Sequence, residues 1–229
     1  MKWLMTFFGS SIGKKLLMSL TGLFLILFLL VHLIGNLQLL KADDGMSFNV
    51  YAKLMTTNPL IKIISYGNYF FILLHAFVGI SLALYNKNAK GQKYAVSNHN
   101  KTSWASKNMA LLGTLILAFI FIHMGDFWLK MKMGQLPMVT YPGVEGEVKD
   151  LYYSVSQTFS QPIWIAVYVI GMMILSFHLF HGFQSAFQTL GINHPKYTPV
   201  IKTLGVAYAI LIPLGFAIIP IWFYLTKMA

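Results

Sequence analysis

The chain has 229 residues but no cysteine, no arginine and only six acids. Without cysteine there is no disulfide, no iron–sulfur ligation and no thiolate chemistry. Charged residues make up 10% of the chain, against roughly 25% in a soluble domain, which excludes an ordinary globular protein. All the positive charge is lysine, and the net charge is +11. A nucleic-acid partner is not implied, because the lysines gather at the ends of apolar runs, as membrane topology requires. No small-residue cleavage site follows Met1-Lys2-Trp3, and the first apolar run is of spanning length, so this stretch reads as a span and not a signal peptide.

What is present is apolar: 57% of residues are hydrophobic and the mean hydropathy is +0.65. A bilayer crossing needs ~20 such residues. The reading is an all-α polytopic membrane protein, a single domain over residues 1–229. Its five spans fall at about 15–40, 59–85, 109–129, 162–190 and 200–225. Residues 1–13 are expected along the membrane surface, 47–56 as a short surface helix, 134–150 as a turn-rich loop, and Pro213 and Pro220 as kinks in the last span.

The loops alternate in charge. The N-terminus and the 86–107 and 191–202 loops hold Lys2, Lys14, Lys15, Lys87, Lys90, Lys93, Lys101, Lys107, Lys196 and Lys202, with no acid. Asp43, Asp44, Asp126, Glu145, Glu147 and Asp150 all fall in the other set. The positive-inside rule then places the N-terminus in the cytoplasm and the C-terminus outside, a parity that five spans satisfy. Trp3 and Trp104 fall at inner ends, and Trp128, Trp164 and Trp222 at outer ends, as interfacial anchors.

Ionisable groups within spans are rare and usually functional. Four spans carry histidine: His32, His75, His123, and His178 with His181; the fifth carries none. Counted from the flanking lysines at 1.5 Å per residue, His32 and His123 share an outer depth, and His75 and His178 a deeper one. Two histidines at matched depth on separate helices grip an iron from both sides, so two pairs suit two haems stacked across the membrane. Gly35, Gly79 and Gly182 lie three or four residues after a histidine, on its helix face, where a flat macrocycle needs room. A lone intramembrane histidine is more often a cross-helix hydrogen bonder; depth-matched pairing is what favours haem. Zinc would want cysteine or four clustered ligands, and a proton relay would want acids within the spans. His181 ranks second as a ligand, with a propionate, a quinone or simple packing as its other roles. His99 and His194 read as ordinary loop histidines.

The run Ser11-Ile12-Gly13-Lys14-Lys15 leading to Val31-His32-Leu33-Ile34-Gly35-Asn36 resembles the dihaem cytochrome b subunit of succinate dehydrogenases and fumarate reductases. So does the run from Ser176-Phe177-His178 through His181-Gly182 to Gly191. The resemblance covers essentially the whole chain. It implies two b haems with His75 and His178 as axial ligands of the one nearer the cytoplasm and His32 and His123 as ligands of the outer one. It also implies a flavoprotein and an iron–sulfur subunit docked on the cytoplasmic face, a quinone (typically menaquinone), and the cytoplasmic membrane of a bacterium. Succinate chemistry itself would belong to those partners. An acid-free, lysine-rich inner face suits such docking.

One departure is Ser176, where some fumarate reductases of this group keep a glutamate used in transmembrane proton transfer. Without that path, electron transfer works with or against the membrane potential, about 2.3 kcal/mol per charge per 100 mV, and succinate oxidation driven by the potential is expected. For the quinone, the outer-side donors are Asn36, Gln38, Asn49, Lys53 and Trp128, with Asp126 as proton acceptor. Two rivals remain: the cytochrome b of a hydrogenase or formate dehydrogenase, which the histidine-free fifth span and the His178–Gly191 motif disfavour, and a non-redox transporter, which would place polar groups at broken helices.

Overall fold

Apolar runs of this length must become helices, because lipid leaves every backbone polar group to be satisfied within its own segment. A computed structural model describes residues 2–89 and 103–228; the expectations for Lys90, Lys93, His99 and Lys101 lie outside these residues. The elements are α1 (Lys2–Gly9), α2 (Ser11–Asn36) with a 3₁₀ turn (Leu37–Leu40), α3 (Met46–Thr57), α4 (Pro59–Ala89), α5 (Trp104–Lys107) and α6 (Met109–His123). A π-helical turn (Met124–Leu129) and α7 (Lys130–Lys132) continue α6. Then come β1 (Met138–Val139), β2 (Val148–Lys149), α8 (Leu151–Phe159), α9 (Pro162–Thr189) and α10 (Thr198–Met228).

Among the described residues, five stretches are long and apolar enough to cross a membrane: Ser11–Leu40, Pro59–Asn88, Met109–Lys132, Pro162–Thr189 and Thr198–Thr226. The protein is therefore an all-α polytopic membrane protein. The spans begin and end on local signals. Ser10 caps α2, its side chain accepting from the Gly13 amide. Pro162 opens α9 where its missing N–H costs nothing. Gly191 ends that helix with a φ of 77°, a left-handed conformation that glycine adopts freely. Large apolar side chains such as Leu27, Phe70, Phe77, Ile170 and Leu211 stay exposed on the helix faces, as a lipid-facing surface requires.

α2, α4, α6 and α9 form a ring in which α2 packs on α4, α4 on α6, α6 on α9 and α9 on α2. α10 lies outside this ring against α9 and α2. The helix continues past both of its prolines, Pro213 and Pro220. Pro213 leaves the Ala209 carbonyl without its usual donor, and Ser176 Oγ on α9 donates to that oxygen at 2.6 Å. The Tyr208 hydroxyl likewise donates to the Ile26 carbonyl and ties α10 to α2.

The acid-bearing end is capped more fully than the sequence suggests. The stretch between the third and fourth spans reads as connection, turn-rich over 134–150, yet it holds α7, a β1–β2 hairpin pairing Met138 with Lys149, and α8. α8 forms because Asp150 caps it, accepting from the Tyr153 amide, and because Val155 and Phe159 bury one face. They join Leu39, Phe48, Tyr168, Ile219 and Phe223 in an apolar cluster between the cap and the spans.

Candidate functional site

The two histidine pairs lie on the two diagonals of the four-helix ring. His32 on α2 faces His123 at the end of α6, with ring centres 5.7 Å apart. His75 on α4 faces His178 on α9 at 6.3 Å. A ligating imidazole nitrogen sits roughly 2 Å from its metal. With about 1 Å more to each ring centre, two rings on opposite faces of one iron have centres about 6 Å apart. Both pairs meet that spacing. Among the described residues no three potential ligands cluster for a bare metal ion. A haem iron asks only two of the protein, since the macrocycle supplies the other four.

The deeper pair is held by its surroundings. Thr21 Oγ1 commits its proton to the Leu17 carbonyl at 2.7 Å, so it accepts from His75 Nδ1, 3.0 Å away. That fixes the proton on Nδ1 and leaves the Nε2 lone pair free, the state in which histidine binds a metal. His178 Nδ1 is buried with no hydrogen-bond partner. A buried polar atom of this kind costs about 1–3 kcal/mol unless something satisfies it.

Two further glycines lie against the histidines of this pair. A Cβ at Gly22 of α2 would lie 3.3 Å from His75 Cε1, and one at Gly113 of α6 would lie 3.7 Å from His178 Cε1. Each stands ten residues before the histidine of its own helix, His32 and His123, or about 15 Å along the axis. α2 and α6 therefore present a histidine at one level and a glycine at the other. The glycines that follow the histidines have other surroundings. Gly182 has nothing within 4 Å, Gly79 meets the Met18 methyl at 3.5 Å, and Gly35 admits the Tyr51 ring, which a Cβ there would approach to 2.4 Å.

The outer pair sits among aromatic rings. Phe28 stacks on His32 at 5.2 Å with 15° between planes, and Phe216 lies at 5.5 Å. Phe119, Phe127 and Tyr168 surround His123 at 5.5–6.1 Å. Immediately after His123 the chain makes its π-helical turn, a distortion often found at functional sites. The turn carries Asp126, whose Oδ2 accepts from the Tyr168 hydroxyl at 3.0 Å. A carboxylate and a phenol are thus joined one ring away from His123.

The other outer-side residues separate. Asn36 turns back on its own helix, its amide donating to the His32 carbonyl at 2.8 Å and lying 3.3 Å from Nδ1. Asn49, 1% exposed, donates to the Tyr141 hydroxyl and to Asp150 Oδ1, each at 2.8 Å, and accepts from the Tyr152 amide at 2.9 Å. Both its donors are spent on the cap. Lys53 is held by the Glu145 carbonyl at 2.9 Å. Gln38 lines a surface hollow with Tyr51 and Leu54. Trp128 packs edge-on to Tyr69 at 5.7 Å with its indole nitrogen buried. His181 is met by Ser185 Oγ at 3.2 Å, one turn along its own helix.

Sequence reasoning missed Thr21, Gly22, Gly113 and Tyr168. The ten-residue glycine-to-histidine spacing shared by α2 and α6 is a sequence signal that points to two of them. Nothing in the sequence ties Tyr168 to Asp126, 42 residues away. No family model matches the chain, and neither a curated protein nor a solved structure matches it.

Proposed function

We propose that this chain is the dihaem cytochrome b anchor of a succinate:quinone oxidoreductase. His75 and His178 would hold one b haem and His32 and His123 the other. The observation that carries the reading is the pair of diagonal histidine couples with ring centres 5.7 and 6.3 Å apart. The resemblance of the His32 and His178 motifs to that family supplies the partners: a flavoprotein subunit, an iron–sulfur subunit and a quinone, with menaquinone the expected one. The acid-free, lysine-rich end is the docking face and lies in the cytoplasm, with the chain in the cytoplasmic membrane of a bacterium.

Haem, when bound, supplies reversible one-electron chemistry that no side chain here offers. The chain's own residues do the rest. Thr21 keeps the proton on His75 Nδ1 and so points Nε2 at the metal position. Gly22 and Gly113 remove side-chain bulk beside His75 and His178. The rings of Phe28, Phe119, Phe127 and Tyr168 exclude water around His32 and His123. Asp126, hydrogen-bonded to Tyr168, exchanges protons with the quinone at that end, giving them up when quinone is reduced and accepting them when quinol is oxidised.

The test is a dithionite-reduced minus oxidised spectrum of the purified chain with extracted haem counted per polypeptide. Two b-type haems are expected. His75→Ala should remove one spectral component and His32→Ala the other. A folded, membrane-inserted chain without haem would overturn the redox reading.

A further inference from the structure

Lys14 is set apart from the other described lysines of its end of the molecule. Lys2, Lys15, Lys87, Lys107, Lys196 and Lys202 are exposed, whereas Lys14 is half-buried at the start of α2. Instead of reaching outward, its Nζ crosses to α4, where it donates to Ser81 Oγ at 3.2 Å and lies 6.0 Å from the centre of the Tyr85 ring. An ammonium drawn partly out of water is stabilised by an opposite charge. The chain has none to offer there, because all six acids belong to the opposite end. A serine hydroxyl and a ring face are weak substitutes, which leaves Lys14 suited to an anion from outside the polypeptide.

Its position says which anion. Thr21, which orients His75, lies seven residues after Lys14 on the same face of α2, two turns or roughly 10 Å away. Ser81 follows His75 by six residues on α4, or roughly 9 Å. The ammonium is therefore below the His75–His178 couple on its lysine-rich side and between the two helices. A macrocycle held by that couple carries carboxylates at its edge, on the order of 10 Å from the iron.

We propose that Lys14, with Ser81 beside it, binds a propionate of the haem held by His75 and His178. This rests on the dihaem reading above and adds to it the residues that orient the macrocycle. The charge of Lys14 also tunes that haem: a nearby cation disfavours the oxidised, more positive state.

The experiment is a redox titration of both haems in the purified full-length chain, the deeper haem being the one that His75→Ala abolishes. In Lys14→Met its oxidised-to-reduced ratio, poised at the wild-type midpoint, should rise at least threefold, while the outer haem stays put. Lys14→Arg keeps the charge and the midpoint. Lys15→Met, an exposed neighbour, should move neither haem. An unmoved deeper haem in Lys14→Met overturns the proposal, and is also what a lipid phosphate in the propionate's place would give. Equal shifts in both haems, or the same shift in Lys15→Met, overturn it too. Should Lys14→Met fail to fold, Lys14→Arg and Ser81→Ala carry the test. Redox-difference infrared bands of the propionate carboxylates should shift in both, and unmoved bands overturn the assignment. A wild-type chain without haem fails the underlying reading before any variant is compared.

Discussion

Single hydroxyls do much of the positioning in this bundle. Thr21 accepts from His75 and gives its own proton to the backbone of its helix. Thr21→Val removes the acceptor at nearly constant volume. Loss of such a partner typically costs about 10–100-fold in metal affinity. Thr21→Val should therefore lose the deeper haem during purification while the outer haem remains, as counted by pyridine haemochrome. Ser176 answers a different need. It satisfies the Ala209 carbonyl that Pro213 leaves bare. Ser176→Ala leaves that buried oxygen without a donor and should cost about 1–3 kcal/mol, read as a lower melting temperature in detergent with both haems still bound. A serine here has a packing reason to be present whether or not a proton path ever ran through this helix.

At the level of elements, α2 and α6 play matching parts. Each presents a histidine at the outer level and, ten residues earlier, a glycine at the deeper one. Gly113→Val would push side-chain bulk at His178, since even a Cβ there comes within 3.7 Å of its ring. The expected outcome is loss of the deeper haem alone, seen as one missing component in the reduced-minus-oxidised spectrum. The cap behaves as a separate element held by Asn49, which joins α3 to Tyr141, Asp150 and Tyr152. Asn49→Ala leaves Asp150 and the Tyr152 amide short of partners. It should lower thermal stability by about 2–3 kcal/mol, while the apparent affinity for a soluble menaquinone analogue is unchanged. A raised KM at unchanged stability would instead return Asn49 to the quinone site.

For the molecule as a whole, the ring of α2, α4, α6 and α9 turns four separate spans into two facing couples stacked along one axis. If each couple holds a haem as proposed, electrons passing between them would move along the membrane normal, and the reaction would respond to membrane potential. With Ser176 engaged by the Ala209 carbonyl, no charged group there offsets that movement. Succinate oxidation by menaquinone in sealed vesicles should therefore stop on addition of an uncoupler, with the reverse reaction unaffected. Equal rates with and without uncoupler would mean that a compensating proton path exists elsewhere.

Much of this was legible in the sequence, because the bilayer imposes one dimension on the chain. Length and hydropathy determine five spans; the first, expected at about 15–40, runs over Ser11–Leu40. Counting residues from the lysine-rich ends determines depth, since a helix rises by a fixed step, and depth alone pairs His32 with His123 and His75 with His178. What depth cannot give is rotation about each helix axis and the identity of its neighbours. Tertiary packing therefore decided that Gly22 and Gly113, from neighbouring helices, lie against the rings of His75 and His178. It decided that Asn49 holds the cap, that Tyr168 meets Asp126 across 42 residues of chain, and that Lys14 leans toward Ser81. Each of these depends on a partner from another helix, and a partner distant in sequence has no spacing from which to be read.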